Sequence, residues 1–123
     1  MTTKPAALDE QPQQATLGRF SLDKQFHGEL EATGRGEMLT AGRVEGSGGY
    51  VAIERVTGRL HGRAGSFVLQ HTGTMQPGAL QLSITVVPDT GTGELAGLAG
   101  KLAIEITGGQ HFYDFEYTLG TAA

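Results

Sequence analysis

Cysteine and tryptophan are both absent from this chain of 123 residues. Without cysteine it has no disulfides and no thiolate metal site, so folding rests on packing and backbone hydrogen bonds. Positive charge is also scarce. Nine Lys and Arg stand against 13 Asp and Glu, a formal net charge of −4, and the basic residues form no cluster. That balance lacks the footprint of a nucleic-acid binder, so no nucleic-acid partner is expected. No apolar run approaches the ~18 residues of a membrane helix. The N-terminus has no signal-peptide apolar region, so no membrane partner is expected and a cytoplasmic protein is the expectation. No stretch reads as an amphipathic helix.

What is plentiful is glycine. It supplies 20 of the 123 residues, more than twice the usual share of ~7%, and shows no collagen-like period. Short alternating runs punctuated by glycine point to an all-β sandwich or barrel.

The pattern is clearest from Tyr50 to Val87, which reads as three strands: Tyr50–His61, Ser66–Met75 and Leu80–Val87. The predicted turns are Gly62-Arg63-Ala64-Gly65 and Gln76-Pro77-Gly78-Ala79, both rich in chain-reversing residues. Even-length turns set Val56 opposite His71 and Leu60 opposite Phe67. They set Leu69, His71, Gly73 and Met75 opposite Val86, Ile84, Leu82 and Leu80. Because side chains alternate faces, Leu60, Phe67, Leu69, Met75, Leu80, Leu82, Ile84 and Val86 share one inner face. Glu54 and His71 are polar residues on that face. The expected register puts Glu54 opposite Gly73, with His71 as its diagonal neighbour roughly 7–8 Å away.

Earlier in the chain, Phe20, Leu22, Lys24, Phe26, Gly28, Leu30 and Ala32 alternate with polar residues, predicting a half-buried strand over Arg19–Ala32. Lys24 interrupts its apolar side. A lysine there either reaches an open end or meets a buried carboxylate, and Glu54 is the obvious partner. Thr33 to Gly36 reads as a turn into a strand over Glu37–Val44, in which either Met38 or Leu39 points inward.

Later, PDTGTGELAGLAG is dense in glycine but lacks the Gly-Lys-Ser/Thr and following helix of a phosphate loop. Bulges and close backbone approach suit it better. A strand over Glu94–Ile106, bent at its glycines, and another over His111–Leu119 flank a Gly108-Gly109 hairpin turn. That turn sets Ile106, Ile104 and Leu102 opposite His111, Tyr113 and Phe115, so Tyr113 and Tyr117 are inner residues. Residues 1–14, with two prolines and a Gln-rich stretch, read as a flexible N-terminal arm before a single domain over 15–123. The expected architecture is an antiparallel up-and-down β-barrel of seven to eight strands.

The runs SLDKQFHGELEATGRGEML, GYVAIERVTG, GSFVLQHTGTM, VVPDTGTGELAG and HFYDFEYTL together resemble a bacterial family of unknown function, DUF3224, over Ala15 to Leu119. The resemblance implies an allene oxide cyclase-like barrel, often of eight strands, with a central cavity and frequent homo-oligomerisation. The spacing of glycines from Gly91 to Gly97 also resembles the glycine signature of allene oxide cyclases and dirigent proteins. The resemblance implies no reaction. It does imply an additional first strand of Thr-Phe-Glu-Val type, where this chain has Pro- and Gln-rich sequence.

Three functions fit the residues. A small-molecule-binding barrel would take a hydrophobic ligand against Lys24, Phe26, Phe67, Leu69, Tyr113 and Tyr117. A cofactor-free isomerase, cyclase or lyase would use Glu54 or His71 as acid or base, with Lys24, Tyr113 or Tyr117 steadying negative charge. A structural module would have no ligand and would assemble through its outer residues Val51, Ile53 and Phe112. No cofactor is expected. No metal is expected either, because His27, His61, His71 and His111 show no i, i+2 pairing on a strand. No nucleophile elbow surrounds any serine.

Overall fold

A computed structural model describes the backbone of residues 2–9, 15–107 and 110–120 and the side chains of residues 15–104 and 112–120. The strands are β1 (Thr2–Asp9), β2 (Thr16–Phe26), β3 (Leu30–Gly42), β4 (Gly48–Leu60), β5 (Arg63–Gln76), β6 (Ala79–Val86), β7 (Leu98–Thr107) and β8 (Gln110–Leu119). They form one antiparallel sheet in chain order, and a single 3₁₀ turn covers Gly93–Leu95. The protein is all-β.

The strand β1 occupies a stretch expected to be an arm. Its sequence has no alternation to read, yet its backbone pairs with β2 from Thr2↔Asp23 to Asp9↔Leu17. Pro5 is tolerated because β1 is at the sheet's edge, where one row of amides needs no partner. Residues 10–14 of the expected arm lie outside the described residues, as does the Gly108-Gly109 turn.

Parity explains why the inner face is the expected one although two turns are elsewhere. The β2–β3 turn is at residues 27–29, with Gly28 at φ +115°, rather than at Thr33–Gly36. Its pairs, such as Phe26↔Ala32 and Phe20↔Met38, match even residues to even residues. Phe26 and Ala32 thus keep one face, as they would on a continuous strand. Met38 turns inward and Leu39 outward. The β4–β5 hairpin reverses at His61-Gly62, with φ of +48° and +78°. That is a two-residue type I′ turn, whose twist matches the strands it joins. The pairs are therefore Glu54↔Leu69, Ala52↔His71 and Tyr50↔Gly73, four residues from the expected register. A shift of four preserves faces. The β5–β6 and β7–β8 registers are as expected.

The inner face packs tightly at one end, where Phe26, Val56, Leu60, Phe67, Leu69 and Leu98 form the core. Leu95 closes this end. The glycine-rich segment carries it there, running back along β5: the Ser66 N–H donates to Thr92 Oγ1 at 3.1 Å and the Val68 N–H to Thr90 Oγ1 at 3.0 Å. Gly91 and Gly93 allow the close approach. A side chain at the first would strike the Leu95 carbonyl, and the second has φ +59°. The expected bent strand over Glu94–Ile106 is thus a 3₁₀ turn followed by β7. This detour leaves β6 and β7 joined by one registered pair, Thr85↔Lys101.

Among the described residues no ladder joins β1 to β8, so the hydrogen-bonded sheet is not closed. It rolls nonetheless. The rings of Phe26 on β2 and Tyr113 on β8 lie 5.2 Å apart, and those of Phe67 and Phe115 5.8 Å apart. The opposite end is open. Met75, Leu80 and Leu82 belong to the inner face by register, yet the first two are 50% and 64% exposed and Leu82 is also exposed.

Candidate functional site

Between the packed end and the open end, three charged or titratable side chains meet on the concave face. Glu54 comes from β4, His71 from β5 and Lys24 from β2. Glu54 Oε1 is 2.8 Å from His71 Nε2 and 3.2 Å from Lys24 Nζ. All three are buried, Glu54 completely. The register brings them together. Leu69 faces Glu54, so His71, two residues on, sits diagonally from the carboxylate. Lys24 faces Gly34, which faces Val56, again two residues from Glu54.

Gly34 makes the cluster possible. It was expected in a turn but is an interior residue of β3, and a methyl there would overlap Glu54 Oε2 and come within 3.1 Å of Phe26. Oε2 occupies that gap and makes no hydrogen bond. An ionised carboxylate at full burial needs compensation, and here the Lys24 ammonium and the His71 N–H both meet Oε1. Drawn so, His71 donates through Nε2 and keeps Nδ1 as its second nitrogen. The ammonium also lies 5.3 Å from the centre of the Phe26 ring, within cation–π range.

Two tyrosines feel this carboxylate. Burial, and after it the Glu54 charge, raises the Tyr50 phenol above 10.0, and the same two causes in the same order raise Tyr113. Tyr50 is the site residue that sequence reasoning missed. Its signal was its parity, two and four residues before Ala52 and Glu54 on one strand. Its ring lies over Gly73, where a side chain would overlap it. With Met38, Gly73, Met75 and Leu80 it lines a cleft of about 400 Å³ at the open end. Tyr113 and Phe26 line a second cleft of about 380 Å³ beside Leu60 and His61.

The remaining expected ligand contacts separate into two groups. Phe67 and Leu69 are wholly packed in the core. Tyr117 is half-buried, its ring 5.3 Å from Phe115 and 5.8 Å from His61. On the convex side, Val51, Ile53 and Phe112 are each about half exposed. No helix among the described residues is long and apolar enough to cross a membrane.

These features define a class: a rolled antiparallel sheet, packed at one end and open at the other, with a buried ionic cluster on its concave face. The chain belongs to the DUF3224 family, described as proteins of unknown function, whose profile matches residues 1–117. It is similar to a solved structure of a DUF3224 protein of unknown function from Shewanella oneidensis MR-1. The two are 52% identical, the match covers 98% of this chain and 92% of that one, and the TM-score is 0.92. No functionally curated protein matches the chain.

Proposed function

We propose that this protein binds a small, largely apolar molecule at the open end of the rolled sheet, with the ligand's polar end directed to Lys24, Glu54 and His71. One observation carries the reading. The aliphatic side chains left exposed on the inner face, Met75, Leu80 and Leu82, gather at a single end, and Met75 and Leu80 share a cleft there with Tyr50. Concave apolar walls with a few convergent polar groups are the usual form of a ligand site. The family resemblance to barrels with a central cavity points the same way. Titration with the neutral fluorophore N-phenyl-1-naphthylamine tests it. Saturable binding is expected, weakened tenfold or more by Leu80→Arg. Binding that Leu80→Arg leaves untouched would place the probe elsewhere and remove the proposal.

The 2.8 Å contact between His71 and Glu54 favours a second reading of the same site, proton transfer by His71 with Glu54 orienting the ring. A bound substrate would then turn over, and Glu54→Gln would lower kcat while leaving binding in place. Separately, Leu39, Val51 and Ile53 are neighbours on the convex face and all about half exposed. They support a homo-oligomer held through this face, for which light scattering after size exclusion should show Val51→Lys shifting the mass toward a monomer.

A further inference from the structure

The geometry points to a second site, in the plane of the sheet between β6 and β7, that takes an extended peptide as an added strand. It does not depend on ligand binding at the open end. The two strands are joined at Thr85↔Lys101 alone. Continued toward the open end, an antiparallel ladder would next pair Ser83 with Ala103 and then Gln81 with Glu105, and neither pair forms. A cleft of about 340 Å³ begins at this single junction, walled by residues 82–85 of β6 and 101–104 of β7. Successive residues of a strand point to opposite faces. A cleft walled by unbroken runs of four therefore lies between the strand edges and not on either face.

On their other sides both strands are fully paired, β6 with β5 and β7 with β8. In such ladders alternate residues direct their N–H and C=O groups away from the partner strand, here into the gap. Two facing rows of backbone groups are left without a strand partner, and an unpaired edge is a template for another chain. An inserted strand needs the edges about 9.6 Å apart, twice the spacing of neighbouring strands. Residues 79–83 of β6 are all exposed, so swinging them outward disturbs little packing.

The walls also specify the peptide. On the inner side the cleft meets Leu82, Ile84, Leu102 and Ile104, and on the convex side Asp114 and Glu116. Lys101, the one cation lining the cleft, is 3.7 Å from Glu116, while Asp114 makes no ion pair among the described residues. An added strand presents alternate side chains to the two faces. The partner is therefore a segment in which apolar residues alternate with polar ones, with a Lys or Arg opposite Asp114.

Fluorescein-labelled peptides titrated into the full chain and followed by anisotropy test this. The peptide TVKVKVT is expected to saturate, and TVEVEVT to bind at least tenfold more weakly. TVKVKVT carrying N-methyl groups on alternate amides should lose binding although its side chains are unchanged. Asp114→Lys, at an exposed position, should equalise the two affinities or reverse their order. Ser83→Cys with Ala103→Cys, in a chain that has no cysteine of its own, should shut the gap on oxidation and abolish binding, and reduction should restore it; the methylated peptide serves if that disulfide fails to form. Undiminished binding of the methylated peptide would overturn strand addition, and equal binding of TVKVKVT and TVEVEVT would overturn the assigned chemistry. Failure of every peptide to saturate would overturn the site itself. So would a mass that doubles with concentration and halves when the gap is oxidised shut, because the occupant would then be a second copy of this chain.

Discussion

Lys24→Met isolates the energetics of the buried cluster. The ammonium and carboxylate are 3.2 Å apart. At an effective dielectric of about 20 their gross attraction is about 5 kcal/mol, offset by the cost of taking both ions out of water. Removing the lysine alone leaves a carboxylate at zero exposure with His71 as its sole hydrogen-bond partner, and the expected loss is about 3–5 kcal/mol. For 123 residues each kcal/mol moves Tm by about 4 °C, so the fall is about 12–20 °C. Glu54→Gln in turn strands the ammonium. The double variant Lys24→Met/Glu54→Gln has no buried charge, so it should lose at least 2 kcal/mol less than the two single losses together. Urea denaturation of the four proteins measures this coupling, and it should persist in 1 M NaCl because the pair is out of solvent. The exposed Arg35–Asp23 pair, at 3.9 Å, should give a coupling of about 0–1 kcal/mol that salt erases. A Lys24–Glu54 coupling below about 0.5 kcal/mol, the level of independent sites, would refute the reasoning.

Three further outcomes are expected. Gly34→Ala drives a methyl into Glu54 Oε2 and Phe26; it should cost about 1–3 kcal/mol by overpacking, seen as a lower urea midpoint, and an unchanged midpoint would mean that the carboxylate lies elsewhere. Gly62→Ala has open space around the new methyl but a φ of +78°, so its cost of about 1–2 kcal/mol is backbone strain alone. Because the folded-state values of Tyr50 and Tyr113 are raised, their contribution to stability is complete below pH 10 and is lost as pH rises through those values. Stability should therefore decline above pH 10, and in a titration followed at 295 nm Tyr50→Phe should remove a late-ionising phenol; a titration curve of unchanged shape would count against the Glu54–Tyr50 proximity.

Faces proved easier to read from this chain than turns. Alternation put Lys24, Glu54 and His71 on one side of the strands, and that depends only on even or odd spacing. The β4–β5 turn was read from its glycines, Gly62 and Gly65, yet the chain reverses at His61-Gly62 because a two-residue turn with both φ positive best fits the strand twist. Gly65 is needed instead for close approach by the Thr92 carbonyl. Gly34 and Gly36 were misread for the same reason: glycine marks a turn or a crowded strand, and the letters do not distinguish them. The first strand was illegible because its pairing uses backbone groups that every residue carries. Burial along the inner face was not legible either. Leu69 and Leu80 share it, yet one is in the core and the other is mostly exposed, a difference set by how the Gly91–Leu95 segment closes one end and leaves the other open.

The most direct test is an NMR titration of the full chain with N-phenyl-1-naphthylamine, followed at the Met75 methyl, the His71 ring and the Val51 methyls. Met75 and His71 should shift along one saturating curve while Val51 on the convex face stays still. Movement of Val51 with Met75 and His71 unchanged would contradict a ligand site inside the rolled sheet.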